Sequence, residues 1–448
     1  MKSCIKIALC SIVAMALVRL AVMVLVPPFE SSEARYATIS ANMARTGNWF
    51  VPSFTYEGVY QPFAGKPPLS FQASALACKV FGVNGFAVRL PSLLSFFALL
   101  AILYWTVKRR AYRRAGDPDI APALRVDLCE RRSRSPLLKR DVPYGFCGEE
   151  LPRLQLSAAK GASCRAIGVL AVSICATIVS LFAISGICMT DAPLMCCVSG
   201  ALLIYSTREV SLYPAIAVLL ALGTAIKGPV ALAMFGLPVV AESIVNRRLP
   251  PMPLKNTALA LLAYIALTVP YFAAIEHNQP GFLKYFLINE NLMRFLVHDY
   301  GDRYGAGRET FRGMAVIWAL VATLPWSLVP VVKRRLPSLS FHMIAIISIT
   351  AFWCLTSRVP FTYLLPVAPL FAAHLAEHSA EFGISRRRLL RLVPPAAILA
   401  SIVLCGAMGY TYIFNRKKMP GPSAPQRISD HYFSYEFYNG PWGKGAPE

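Results

Sequence analysis

Runs of apolar residues about twenty long, the length of a bilayer-crossing helix, recur from one end of this chain to the other, with most of its charges between them. Lipid offers the backbone no hydrogen-bond partners, so such runs are stable only as helices or as a closed barrel. Their length suits helices, since a barrel strand needs only about ten residues. The pattern predicts an all-α, polytopic transmembrane helix bundle of about eleven spans. They cover 5–27, 91–107, 165–187, 192–206, 212–226, 229–245, 257–275, 313–332, 339–355, 361–377 and 392–414. Composition agrees: 56% of the 448 residues are hydrophobic and 15% charged, against about 25% charged in a soluble domain. The first run ends in Val26-Pro27-Pro28 without a small-residue cleavage site, and reads as an uncleaved first span. Arg19 within it has to face other helices, because a charge facing lipid is costly.

A net charge of +22 would suggest nucleic acid in a soluble protein. No nucleic-acid-binding motif accompanies it, and nucleic acid is excluded as a partner. The Lys and Arg residues instead fill alternate short loops: Lys2 and Lys6, 108–164, Arg208, Arg247 to Lys255, Lys333 to Arg335, and Arg386 to Arg391. By the positive-inside rule that side is cytoplasmic. The opposite side holds 28–90, 188–191, 227–228, 276–312, 356–360 and the tail after 415, where Arg416, Lys417 and Lys418 run against the rule. Most of the 12 Cys lie inside apolar runs, as Cys175, Cys196 and Cys197 do, where they act as small hydrophobes.

Three segments break the regular pattern. In the first outer loop, Ser32 can cap a helix from Glu33, and Gly47 can end it. This helix, 33–46, and a second at about 69–82 are expected to lie at the membrane interface over a cavity, with Trp49, Tyr56, Tyr60 and Phe63 at headgroup depth. The insert 108–164 is Arg- and Pro-rich with weak periodicity; it predicts a poorly ordered cytoplasmic loop, dispensable for chemistry. Lys227-Gly228-Pro229 interrupts one apolar pair, a break that membranes tolerate only over protein or a water-filled cavity.

Ionisable residues collect against helix ends on the outer side: Glu33 and Arg35 beside Tyr36, then Lys66, Asp191, Lys227, Glu290, Arg294, and Arg358 near Tyr363. Charges at membrane depth mark function by default. Three carboxylates among several cations suit a reaction with an anionic leaving group and an acceptor that needs a base. Each residue also has a structural reading. Glu33 favours a helix dipole, Asp191 can cap the span after it, Lys66 and Lys227 can snorkel to headgroups, and Arg294 and Arg358 can hold lipid.

An ordered set of short motifs sharpens this. Ser32-Glu33-Ala34-Arg35-Tyr36-Ala37 is followed by Gly47-Asn48-Trp49, Gly65-Lys66-Pro67-Pro68-Leu69 and Arg89-Leu90-Pro91-Ser92. Then come Thr190-Asp191-Ala192-Pro193-Leu194, Lys227-Gly228-Pro229, Phe286 to Phe295, Leu324-Pro325-Trp326, and Ser357-Arg358 to Pro366. In order and spacing the set resembles the membrane-embedded GT-C glycosyltransferases, in the group joining protein O-mannosyltransferases to ArnT-like aminoarabinose transferases.

The resemblance implies an inverting glycosyltransferase that moves a sugar from a polyprenyl-phosphate donor to a lipid A-like glycolipid, glycan or protein. It implies a multi-pass protein of the bacterial inner membrane, with its site facing the periplasm and membrane lipids around it. Residues 1–415, interrupted by 108–164, would form the transferase domain, with 416–448 as a short tail. The family's first loop usually reads Asp-Glu, and here Ser32 replaces the Asp. The catalytic role then passes to Glu33 with Asp191 assisting, although neighbours on a helix point about 100° apart. An acceptor that is already a phosphate anion would need no base. Lys66, Lys227, Arg294 and Arg358 are expected on the donor phosphate; Arg35, Tyr36, Glu290 and Tyr363 line the substrate cavity. No metal ligand set is predicted, and a divalent cation cofactor stays open. A transporter, or a non-catalytic lipid-binding protein on the same fold, are the competing readings.

Overall fold

The computed structural model describes residues 2–26, 28, 31–56, 59–116, 153–293, 310–356 and 359–418. In chain order it comprises α1 (Lys2–Leu25), α2 (Ser31–Thr46), the strands β1 (Ser53–Tyr56) and β2 (Val59–Pro62), α3 (Leu69–Phe81) and α4 (Gly85–Gly116). Next follow α5 (Arg153–Ala176), α6 (Val179–Ile184), α7 (Asp191–Tyr205), α8 (Tyr213–Lys227), α9 (Val230–Asn246) and α10 (Leu254–Asn278). The single turn α11 (Phe282–Lys284) runs into a π-helical stretch, Tyr285–Met293. The remainder is α12 (Met314–Ala322), α13 (Leu328–Lys333), α14 (Phe341–Cys354), a 3-10 turn (Phe361–Leu364), α15 (Val367–Glu377) and α16 (Arg386–Lys418).

Among the described residues, five helices are long and apolar enough to cross a bilayer: Ser3–Leu25, Gly85–Ala115, Val210–Lys227, Leu254–Asn278 and Arg386–Tyr410. Five of the predicted spans fall on these. The others fall on shorter pieces: 192–206 on α7, 229–245 on α9, 339–355 on α14 and 361–377 on the 3-10 turn plus α15, while 165–187 and 313–332 are each divided between two helices. The chain is a polytopic, almost entirely helical membrane protein. The antiparallel β1–β2 hairpin, which pairs Ser53 with Pro62, is the departure from all-α that the sequence did not suggest.

The bundle centres on α7, which is buried along its whole length and packs against α4, α8 and α9. No residue of α7 after Asp191 carries a charge, so the helix can be surrounded by protein at no electrostatic cost. Arg19 of α1 is 1% exposed, and its guanidinium donates to the Ala183 carbonyl, as expected of a charge excluded from lipid.

The first outer loop differs from expectation in two ways. Helix α2 begins at Ser31, so Ser32 lies inside it and not at its cap, while Gly47 at φ +72° ends it as predicted. Moreover, α2, α3 and the hairpin form a core of their own. Phe63 is 2% exposed there, between Phe54 and Phe71, packed against protein rather than presented to lipid headgroups. The aromatics follow apolar area: buried together they gain more than they would at an interface.

The insert 108–164 also needs correction. Its first nine residues continue α4 to Gly116 and its last twelve belong to α5; 117–152 lie outside the described residues. The Arg run at the end of α4 is bound to carboxylates of other elements. Arg110 grips Glu377 through Nε at 2.9 Å and Nη2 at 3.2 Å, and Arg114 reaches the same carboxylate. Arg109 and Arg113 share Glu209. A sequence window scores this run as a solvated charge cluster, because its acidic partners lie about a hundred residues or more away.

Candidate active site

The outer helix ends meet around one pocket. The break at Lys227-Gly228-Pro229 ends α8 and starts α9 there, with Gly228 at φ +79°. Lys227 thus projects from a helix end into the bundle interior, opposite the first turn of α7. Its Nζ lies 2.6 Å from Asp191 Oδ1, and the two side chains are 8% and 5% exposed. The same ammonium sits 3.9 Å from the centroid of the Tyr363 ring, a cation–π contact, and Tyr363 in turn rests on Trp353 with centroids 4.5 Å apart.

A second lysine enters from the first outer loop. Lys66 Nζ is 3.6 Å from Glu290 Oε2 and donates to the Gly65 carbonyl at 2.8 Å. Glu290 lies on the π-helical stretch, where Tyr285 donates to its other oxygen at 3.3 Å. Such a stretch widens the helix and re-aims side chains, a device common at functional sites. Phe286 and Asn291 complete this wall of the pocket, and Thr356 and Thr362 lie across from it.

Of the residues expected here, Asp191, Lys66, Lys227, Glu290 and Tyr363 do come together in one pocket. Arg294 and Arg358 lie outside the described residues. Arg35 and Tyr36 do not line the pocket. The Tyr36 ring is packed against Phe63 and Phe71, with the Arg35 guanidinium 5.6 Å from it and 5.8 Å from the Phe63 ring.

Glu33 is also absent from the pocket lining. It is 2% exposed and held bidentately by Arg89, with Nε to Oε1 at 2.7 Å and Nη2 to Oε2 at 3.0 Å. The Cys188 amide donates to the same Oε1 at 2.9 Å. Arg89 spends its remaining nitrogen on the carbonyls of Met23 and Val26 at the end of α1. This cluster ties α1, α2, α4 and the loop before α7 together. Of the two carboxylates expected to act as base, Asp191 lines the pocket and Glu33 does not. Arg89 was visible within its motif, but nothing local to it announced a partner 56 residues away.

The pocket is electrically balanced among the described residues, with two lysines against two carboxylates. An anion entering it would have to loosen one of these ion pairs or recruit further cations. Asp191 and Glu290 are also the carboxylates a divalent cation would use. Among the described residues no three His, Cys, Asp or Glu side chains gather as they would around a metal ion.

Gly228 yields a direct test of the pocket wall. A Cβ there would lie 2.5 Å from Cζ of Phe286, and the positive φ disfavours any other residue. Gly228→Ala should lower thermal stability in detergent by roughly 1–3 kcal/mol from backbone strain alone. Gly236→Ala, with nothing within 4 Å of its Cβ, should not destabilise. Equal melting curves for the two variants would show that the break is not strained as described.

The fold and the pocket together define a class, the polytopic membrane proteins of GT-C architecture whose outer loops and helix ends enclose a charged cavity. Within that class the chain is similar in fold to ArnT. It matches the fold of ArnT from Cupriavidus metallidurans bound to undecaprenyl phosphate, with a TM-score of 0.64 at 16% identity over 96% of this chain and 84% of that one. The apo form of the same protein matches with a TM-score of 0.61. Curated relatives carry the name undecaprenyl phosphate-alpha-4-amino-4-deoxy-L-arabinose arabinosyl transferase. The one from Erwinia tasmaniensis is 25% identical over 366 residues, covering 79% of this chain and 56% of its own length. That from Aeromonas salmonicida is 24% identical over 374 residues, with the same coverage. The chain thus spans little more than half the length of these relatives. No family model matches the chain.

Proposed function

We propose that this chain is an inverting glycosyltransferase that moves a sugar from a polyprenyl-phosphate donor to an envelope acceptor on the non-cytoplasmic face. The observation that carries the reading is the convergence of Lys66 and Lys227, from separate elements, on one largely buried pocket, each held by a carboxylate. When the sugar–phosphate bond breaks, negative charge grows on the phosphate oxygens. Two ammonium groups in a partly desolvated cavity stabilise that charge far better than water does. Arg294 and Arg358 are proposed to supply the further cations that a balanced pocket needs. The names of the curated relatives support the donor class, and the apolar helices around the pocket suit a lipid-linked substrate.

The pocket also bears on the competing readings. A transporter requires charges near mid-membrane that are reachable from both sides. Here they sit at helix ends on one side. A non-catalytic lipid binder is separated from an enzyme by turnover. The full chain is reconstituted with a polyprenyl-phosphate-linked aminoarabinose and lipid A, and product is followed by mass spectrometry. Donor-dependent product supports the proposal. Donor binding without turnover, with this acceptor and with glycan and peptide acceptors, overturns it.

One observation favours a phosphate acceptor over a hydroxyl. Both carboxylates in the described pocket are engaged by lysines, and neither stands ready as a base. With a hydroxyl acceptor, Asp191→Asn should lower kcat by about 100-fold or more, the usual contribution of a general base. With a phosphate acceptor the same change should act mainly through Lys227, changing KM for the donor while leaving kcat within about tenfold of the wild type. Glu33→Gln should lower stability with no selective effect on kcat. A properly folded Glu33→Gln protein without turnover would return the base role to Glu33.

A further inference from the structure

A second concavity lies far along the chain from the motifs used above. Between α13 and α16 an apolar crevice is lined by Trp326, Val329, Leu392 and Leu399, among others. Trp326 belongs to the Leu324-Pro325-Trp326 motif, which the transfer reaction leaves unexplained. It is 2% exposed, and its Nε1 donates to Thr177 Oγ1 at 3.0 Å, so the indole is fixed in place.

The crevice has charges at one end only. Lys333, the last residue of α13, is one of its lining side chains. Arg388 stands on α16 four residues before Leu392 and seven before Pro395, both of which line the crevice. Residues so spaced share a helix face, which brings Arg388 to the same end as Lys333. Both cations are exposed, and among the described residues neither makes an ion pair, unlike the arginines at the end of α4. The adjoining loop is tied down by Arg335, whose Nη1 donates to the Glu381 carbonyl at 2.9 Å. The Glu381 carboxylate accepts from the Ser338 amide at 3.2 Å, a contact that orders the loop.

We infer that this crevice binds an anionic glycerophospholipid, with an acyl chain along Trp326 and Leu392 and its phosphate between Lys333 and Arg388. An apolar slot on a membrane helix face takes a hydrocarbon chain without a polar cost. Unpaired cations at its mouth then select the headgroup. The basic loops that include 333–335 and 386–391 define the cytoplasmic side, the leaflet whose anionic lipids attract such residues. The site is therefore separate from the transfer pocket and opens to the opposite face.

The test uses Trp326 as a reporter. The full chain is reconstituted in phosphatidylcholine nanodiscs and titrated with phosphatidylglycerol or phosphatidylcholine brominated on identical acyl chains. Bromine quenches indole fluorescence only at contact, and subtracting the Trp326→Phe signal isolates this one residue. Each cation near the bilayer surface should contribute about a fivefold preference for the anionic lipid. Quenching should therefore saturate at a much lower mole fraction of phosphatidylglycerol. In Lys333→Gln/Arg388→Gln the preference should vanish, while quenching by brominated phosphatidylcholine and basal sugar transfer persist. Equal quenching by both lipids in the wild type, or an undiminished preference in the double variant, overturns the inference. If Trp326→Phe does not fold, total quenching compared between the wild type and the double variant reads the same preference.

Discussion

Lys227→Ala is expected to reduce sugar transfer by about 100-fold or more, the loss typical for removing one preorganised donor from a developing oxyanion. Two effects act in the same direction. The ammonium no longer meets the departing phosphate, and Asp191, 5% exposed, is left without the counter-ion that lies 2.6 Å away. That carboxylate then repels the anionic donor. The double variant Lys227→Ala/Asp191→Asn removes the repulsion but restores no phosphate contact, so donor binding should recover in part while kcat stays low. Lys66→Ala should show the same loss in turnover with a smaller penalty in stability, because Lys66 is more exposed and its contact with Glu290 is longer, at 3.6 Å. Near-normal turnover by correctly folded Lys227→Ala protein would remove it from the phosphate site.

The second large effect lies outside the pocket. Arg89→Met should destabilise the protein by ~3–5 kcal/mol, the range for stripping one partner from a buried ion pair. Glu33 would retain the Cys188 amide while losing both guanidinium bonds, and the end of α1 would lose its tie to α4. The expected result is a poor yield of monodisperse protein and a large fall in unfolding temperature. Arg89→Met/Glu33→Gln should recover much of the loss, because the uncompensated charge is gone. A double-mutant cycle measures this coupling directly. Independent, additive effects of the two changes would mean that the pair is not the staple described here.

These two clusters show how far the site could be read from the chain. The motifs of the outer loops name Asp191, Lys66, Lys227, Glu290 and Tyr363, and all five line the pocket. What they could not reveal is which charges face substrate and which face each other. Glu33 and Asp191 look alike in sequence: each stands in the first turn of a helix, next to the outer face. One is closed off by Arg89 and the other opens on the cavity. The difference depends on residues 56 positions away in one case and 36 in the other. Phe286 and Asn291 were equally hidden, because only the π-helical stretch turns them into the pocket.

By itself the sequence determined the solvent, the class of secondary structure and the break at Lys227-Gly228-Pro229. Each of these follows from a local quantity: apolar run length, or a Gly-Pro step that no continuous helix accommodates. Tertiary structure alone decided the partition of charges into ion pairs, the separate aromatic core of the first outer loop, and the continuation of α4 through the Arg run. Those outcomes are settled by electrostatics over a few ångströms between residues remote in the chain. A buried charge stays only where its partner is, and the fold chooses that partner.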